Sequence, residues 1–174
     1  MNIHASSVIR HPRARVFHAF RNELPKVAAF MPNIQQINTV KCEDAPGGAR
    51  IHNEWIARGE IPKVAQGIIK PEMLRWDDHA VWDDANTRCT WTLKLRVFAD
   101  NVRCGGQTVL TDEADGTRVT LTGTLEIDLK NIPGVPRFLA GTISPQVEKF
   151  VVGMVTPNLE QMTTALGRYL DSQA

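Results

Sequence analysis

The stretch from Arg118 to Leu129 alternates strictly between apolar and polar residues. Its odd-numbered positions carry valine, leucine, glycine and isoleucine, and its even-numbered positions carry arginine, threonine, glutamate and aspartate. Successive side chains of a strand point to opposite faces, so this period of two predicts a strand with one dry and one wet face. A sheet built from such strands needs another layer to cover its dry face.

Six further segments alternate less strictly, and turn sequences such as Pro46-Gly47-Gly48 separate them. In one of them, residues 49–58, a single amide, Asn53, lies on an otherwise apolar face beside Trp55. The six segments predicted as strands are Asn2–Ile9, Ile34–Glu43, Ala49–Arg58, Met73–Asp83, Arg88–Phe98 and Val102–Thr111.

Helical periodicity occurs at both ends of the chain. Two short helices are predicted after the first strand, over Pro12–Arg21 and Leu24–Met31. One long amphipathic helix is predicted over Ser144–Leu170, with a kink near Pro157, because a proline ring clashes with the carbonyl four residues earlier. The chain is therefore predicted to be one α+β domain over residues 1–174. In it, a curved antiparallel sheet of about six or seven strands wraps on the long C-terminal helix.

Composition narrows the classes of partner. The 174 residues carry 20 Lys and Arg against 19 Asp and Glu, which argues against a basic surface for nucleic acid. No segment has the roughly 18 apolar residues that a membrane-spanning helix needs, and no secretory signal is expected. The three cysteines are far apart, without a Cys-x-x-Cys pair, so we expect reduced thiols and a cytoplasmic protein.

Four local features resemble one known superfamily. They are the opening strand leading into Pro12-x-x-x-Val16-Phe17, the Pro32-Asn33-Ile34 start of the second strand, the Pro46-Gly47-Gly48 hairpin and the Gly153-x-x-x-Pro157 helix. In element order the whole chain resembles the START-like, or helix-grip, superfamily (SRPBCC), which includes polyketide cyclases, plant ligand-binding allergens and lipid-transfer domains. The resemblance implies a hydrophobic cavity between sheet and helix that binds or transports a lipid-like or aromatic small molecule.

A narrower likeness concerns PRELI-type lipid carriers. It rests on the run from Phe20 to Pro25, on Pro32-Asn33, and on the segment 61–70 between two strands. Within that segment, Ile61 to Ile69 is interpreted as a short amphipathic helix or lid. The likeness implies transient contact with a membrane.

The four tryptophans are the most informative residues for a ligand site, because each lies on the apolar face of a predicted strand. The alternative is that they only fill a packed core. On the binding interpretation, Asn53 orients the ligand by hydrogen bonding. The predicted ligand-binding residues are Asn53, Trp55, Trp76, Trp91, Leu93, Leu121, Leu125, Phe150 and Met154.

Few residues point to catalysis or to a metal. The five histidines have no metal-ligand spacing, and no nucleophile motif is present, so no metal, cofactor or catalytic residue is predicted. Cys89 and Cys104 are interpreted as core thiols, and Gly105-Gly106 as a bulge. Asp78 is an exception among the acidic residues, since it shares a strand face with two tryptophans.

Three functions remain open at this point. Binding or transport of a hydrophobic small molecule requires no chemistry and is preferred. An enzyme of the polyketide cyclase or aromatase type would need an acid or base in the cavity, such as Asp78 or His18. A chaperone-like protein would use the same groove for a partner helix.

Overall fold

A computed structural model describes residues 1–61, 63, 66–67, 69–128 and 137–174, and within 137–144 only the backbone. The strands and helices in chain order are β1 Asn2–Ile9, α1 Arg13–Asn22, α2 Leu24–Val27, β2 Ile34–Ala45, β3 Gly48–Ala57, β4 Arg75–Asp83, β5 Arg88–Leu95, β6 Val102–Glu113, β7 Gly116–Ile127 and α3 Arg137–Asp171.

The seven strands form one curved antiparallel sheet in the order β1-β7-β6-β5-β4-β3-β2. Strands β2 to β7 follow one another as a meander, and β1 closes the far edge by pairing with β7. The predicted α+β architecture is confirmed, with short helices α1 and α2 after the first strand and α3 at the end.

The period-two patterns place the faces of the strands correctly. On β3, Ile51, Asn53 and Trp55 are all buried, and on β7 Val119 and Leu121 are buried. These strands therefore bury one face towards the side of the sheet that α3 covers, whereas the edge strand β2 buries only Ile34 and Ile37.

Several predicted boundaries differ from the structure. The second short helix, predicted over Leu24–Met31, ends at Val27 and is followed by a 3₁₀ turn over Ala28–Phe30. Strand β5 ends at Leu95 and not at Phe98, whose φ of 53° lies in the left-handed region and cannot continue a strand. Strand β4 starts at Arg75, because Pro71–Met73 forms a 3₁₀ turn. Helix α3 begins at Arg137, upstream of the predicted start at Ser144.

The predicted bulge at Gly105-Gly106 is wrong. Both residues keep regular register with β5 and β7, and Gly106 lies opposite Trp91 on one side and Gly123 on the other. A Cβ atom on Gly123 would lie 2.6 Å from the Trp91 ring. These glycines therefore leave room for an indole.

Bulges occur instead in the edge strand β2. Its pairing with β3 shifts between Ile34 and Gln36 and again between Thr39 and Lys41. Bulges and charged residues on an edge strand disfavour pairing with another chain.

Helix α3 is not centred on the sheet. It packs mainly against β1 and β7 at one edge, and against the α1–α2 region. It faces β3, β4 and β5 across a space that is described below.

Helix α3 continues through Pro145 and Pro157. The kink near Pro157 stays a prediction, and the predicted lid over 61–69 lies partly outside the described residues. No helix in the described part of the chain is long and apolar enough to cross a membrane.

Candidate ligand site between sheet and helix

A small cavity of about 30 Å³ lies between strands β3, β4 and β5 and helix α3. The sheet supplies its four tryptophans, and α3 supplies Leu159 and Met162. Because the space is narrow, a ligand larger than a few heavy atoms requires the lining side chains or α3 to shift. The tryptophans in its wall are Trp55, Trp76, Trp82 and Trp91.

The strand register brings these tryptophans together. Trp55 on β3 lies directly opposite Trp76 on β4, and their rings stack with centroids 5.7 Å apart. Trp91 on β5 lies opposite Ala80 on β4, where the small side chain leaves space. The cavity thus has flat aromatic walls, which suit a planar or elongated apolar molecule.

Most of the predicted ligand-binding residues border this cavity, and Asn53, Leu93 and Leu121 join the tryptophans there. Phe150 and Met154 border a second pocket of about 480 Å³, which is open to solvent. Leu125 borders neither of these two pockets and is buried on β7 opposite Cys104.

Two polar residues of the cavity, Thr108 and Asn158, are absent from the predicted set. Asn158 is 2% exposed and borders both the cavity and the open pocket. The signal was present in the sequence, since Asn158 lies midway between Met154 and Met162 on the apolar stripe of α3.

Asp78 is the carboxyl group of the cavity, as its position in the strand alternation indicated. It is 7% exposed and lies opposite Asn53 on β3. The Asn53 amide Nδ2 donates to Asp78 Oδ2 at 3.5 Å, and Thr39 Oγ1 donates to Asn53 Oδ1 at 2.9 Å. Asn53 therefore holds Asp78 in place, and its own oxygen is already engaged.

Burial raises the pKa of Asp78 from 3.8 to about 6. The loss of water around a carboxylate is the main cause, and Asn53, the Trp55 indole and the charge of His52 oppose it. At neutral pH the carboxyl is thus close enough to its pKa to exchange a proton.

Three buried polar atoms of the cavity residues have no hydrogen-bond partner within the described ranges: Asp78 Oδ1, Trp55 Nε1 and Asn158 Oδ1. The indole of Trp91, by contrast, donates to Thr108 Oγ1 at 3.2 Å. Buried polar groups are normally paired, because an unmade hydrogen bond costs about 1–3 kcal/mol. The cavity therefore has an unused capacity for hydrogen bonding.

The thiols of the core are not nucleophiles. Cys89 borders the cavity, and burial raises its pKa well above the ordinary value. Burial likewise raises the pKa of Cys104 to about 12. Both therefore remain protonated at neutral pH.

Three histidines, His18, His52 and His79, do not border the cavity. His18 has a side chain 59% exposed and bonds to Glu23, so it is not a cavity base. His52 and His79 stack on the outer face of the sheet, with centroids 4.5 Å apart, and His52 pairs with Asp77. Over the residues that the structure describes, no group of three or more His, Cys, Asp or Glu could hold a metal ion.

Comparison with known proteins places the chain in a family and gives its fold. A model of the family described as "Protein of unknown function (DUF2505)" matches residues 4–162. No curated protein matches the chain.

Several solved structures have a similar backbone. The crystal structure of TTHA0849 from Thermus thermophilus has a TM-score of 0.69 at 24% identity, covering 100% of this chain and 99% of that one. The Zhui aromatase/cyclase from Streptomyces sp. R1128 has a TM-score of 0.63 at 15% identity, covering 100% and 96%. Norcoclaurine synthase from Thalictrum flavum, in complex with dopamine and hydroxybenzaldehyde, has a TM-score of 0.57 at 10% identity, covering 100% and 88%. At these identities the likeness shows the fold alone, and it is the START-like, helix-grip fold.

Proposed function

Because the chain belongs to the DUF2505 family, whose function is unknown, we propose from its own geometry that it binds a small, largely apolar molecule. The site is the cavity between β3–β5 and α3. The observation that carries the proposal is that four tryptophans and three unpaired polar atoms belong to residues around one space. On this proposal, residues 1–174 act as one ligand-binding domain.

The expected affinity follows from the apolar area that a ligand can bury. One aromatic ring buries on the order of 200 Å², which is about 5 kcal/mol at 25 cal/mol per Å² before the costs of ordering. Before those costs this corresponds to a dissociation constant of about 0.2 mM, and the costs raise it towards about 1 mM or more for a one-ring ligand. A longer molecule would reach the open pocket beside Phe150 and Met154 and bind more tightly.

The fold itself is compatible with such ligands. Norcoclaurine synthase, which shares it, is seen in complex with two aromatic molecules, dopamine and hydroxybenzaldehyde. Transport of the ligand, transient membrane contact, the absence of nucleic-acid binding and a cytoplasmic location all stay predictions.

The proposal is tested by titrating the protein with 4-fluorotoluene and following the fluorine resonance by NMR. Ala80 borders the cavity, so Ala80→Leu should fill it and weaken binding at least tenfold. The neighbouring Val81 is 48% exposed, so Val81→Leu is the matched control and should bind like wild type. The proposal fails if wild type does not bind, or if both variants bind like wild type.

A second candidate function, an enzyme of the polyketide cyclase or aromatase type, is favoured by Asp78 alone. A buried carboxyl with a pKa of about 6 can donate and accept protons near neutral pH. If the protein turns over substrates of polyketide cyclases or aromatases, the Asp78→Asn variant should lose this turnover and should still bind 4-fluorotoluene. Turnover that survives Asp78→Asn would exclude this carboxyl as the acid or base.

A further inference from the structure

We propose that the cavity selects ligands that carry a hydroxyl group, that the Trp55 indole donates a hydrogen bond to this group, and that either Asp78 or Asn158 accepts one from it. The inference rests on the proposed function and adds a chemical class to it. It starts from the hydrogen-bonding capacity that the described part of the protein leaves unused.

The three unpaired atoms differ in kind. Trp55 Nε1 can only donate a hydrogen bond, whereas Asn158 Oδ1 and an ionised Asp78 Oδ1 can only accept one. All three residues border the same cavity and are at least nine-tenths buried. A group that satisfies a donor and an acceptor together must itself both accept and donate.

Trp55 and Asp78 are close but not bonded. The Trp55 indole N–H lies near enough to the Asp78 carboxyl to lower its pKa, yet it forms no hydrogen bond of good geometry with any residue that the structure describes. A ligand oxygen between them can accept from the indole and donate its proton to the carboxylate. A hydroxyl has only one proton, so it can donate either to Asp78 or to Asn158, the acceptor that borders the cavity from α3.

Other functional groups fit this set of atoms less well. A protonated amine has no lone pair for the indole, and a ketone or aldehyde has no proton for Asp78. A ligand carboxylate would be repelled by the Asp78 charge. Water has the right capacity, so the ligand hydroxyl would replace water, and the rest of the ligand would add apolar contact.

The remainder of such a ligand meets apolar surface. Trp91 already bonds Thr108, and Asn53 already bonds Thr39 and Asp78. Leu93 and Leu121 complete the wall beside them. The expected ligand class is therefore an apolar, preferably aromatic, molecule with one hydroxyl group at its buried end.

The test compares 4-fluorophenol with 4-fluorotoluene, which differ only by a hydroxyl in place of a methyl group. Fluorine NMR titration should show that wild type binds 4-fluorophenol at least about tenfold more tightly. In a ¹⁵N-labelled sample, the indole N–H resonance of Trp55 should move downfield with 4-fluorophenol and not with 4-fluorotoluene. The other indole resonances provide an internal reference.

Two matched variants separate recognition from packing. Trp55→Phe removes an unpaired N–H and keeps an aromatic ring. This variant should therefore bind 4-fluorophenol and 4-fluorotoluene with about equal affinity. Trp91→Phe removes an N–H that already has a partner, so both affinities should change by the same factor and the preference should remain.

The outcomes distinguish this inference from the proposed function. If both probes bind wild type with equal affinity, the hydroxyl inference is overturned and the binding function stands. If neither probe binds, both are overturned. A preference that persists unchanged in Trp55→Phe would also contradict the role of the indole.

Discussion

Asp78 shows how a residue can be placed correctly from sequence while its chemistry depends on the fold. Strand alternation alone puts this carboxyl on the dry face of β4. Its partner Asn53 follows only from the register of β3 against β4, and Asn158 comes from a helix that is distant in sequence. Sequence periodicity predicts which face of each strand or helix is buried. It does not predict which of these faces meet across a cavity.

The raised pKa of Asp78 predicts how stability depends on pH. Its pKa is about 6 in the folded protein, against 3.8 ordinarily, so the folded state holds the proton more strongly. The contribution to stability is full below about pH 4 and is lost as pH rises through about 6. As the pH is raised from 4 to 7.5, Asp78→Asn should therefore gain about 2 kcal/mol of stability relative to wild type.

Urea denaturation of both proteins at pH 4 and pH 7.5 measures this difference. The groups that act on the Asp78 charge are Asn53, Trp55 and His52, and the variant leaves all of them in place. Parallel pH dependence of the two proteins would show that Asp78 is not buried as described.

The Trp91 ring packs directly against the backbone of Gly123 on β7. A Cβ on Gly123 would meet the Trp91 ring at 2.6 Å and the Gly105 carbonyl oxygen at 2.8 Å. Gly123→Ala should destabilise the protein by about 1–3 kcal/mol and shift the Trp91 indole resonance.

Gly167 in α3 supplies the control for that experiment. A Cβ there would make ordinary contact with Ile9 at 3.7 Å. Gly167→Ala should be neutral or stabilising by up to about 1 kcal/mol, because alanine is the better helix former. If thermal denaturation shows Gly123→Ala to be as stable as Gly167→Ala, the close packing of Trp91 on the sheet is wrong.

Among the elements, α3 is tied to the start of the chain through Glu23. Tyr169 Oη donates to Glu23 Oε2, and Arg15 donates to both carboxylate oxygens at 3.1 and 3.2 Å. The Tyr169 hydrogen bond is the main reason that the pKa of Glu23 is lowered, and burial opposes it. This network fixes the C-terminal end of α3, the helix that also supplies Met162 to the cavity.

Tyr169→Phe should therefore destabilise the protein by about 1–3 kcal/mol, because it removes a hydrogen bond to a charged group. A double-mutant cycle with Glu23→Gln, followed by chemical denaturation, should show coupling of about 1 kcal/mol or more. Additive effects of the two substitutions would mean that Tyr169 stabilises α3 through packing alone.

At the level of elements, the sequence predicts strands better than their ends and irregularities. Period-two alternation predicts all seven strands, and each of them except the largely exposed edge strand β2 buries one face. The end of β5 depends on the left-handed backbone of Phe98, for which the side-chain pattern has no signal. The Gly105-Gly106 pair predicts a bulge when the strand is considered alone. The Trp91 ring, which needs the space that these glycines leave, lies on a neighbouring strand.

Considered as a whole, the molecule owes its cavity to the asymmetric position of α3. The helix packs on β1 and β7 and leaves a gap in front of β3, β4 and β5. The sequence predicts that one helix must cover the sheet, but the gap depends on where along the sheet the helix lies. That position is set by contacts between the two ends of the chain, such as Tyr169 with Glu23.

The central claim is that this gap holds a small apolar molecule. The most direct measurement is a crystal structure of the protein soaked with 4-bromotoluene, in which anomalous scattering locates the bromine. The account predicts one dominant bromine peak within contact distance of Trp55, Trp91 and Met162. Bromine found only on the surface, with the cavity unchanged, would contradict it.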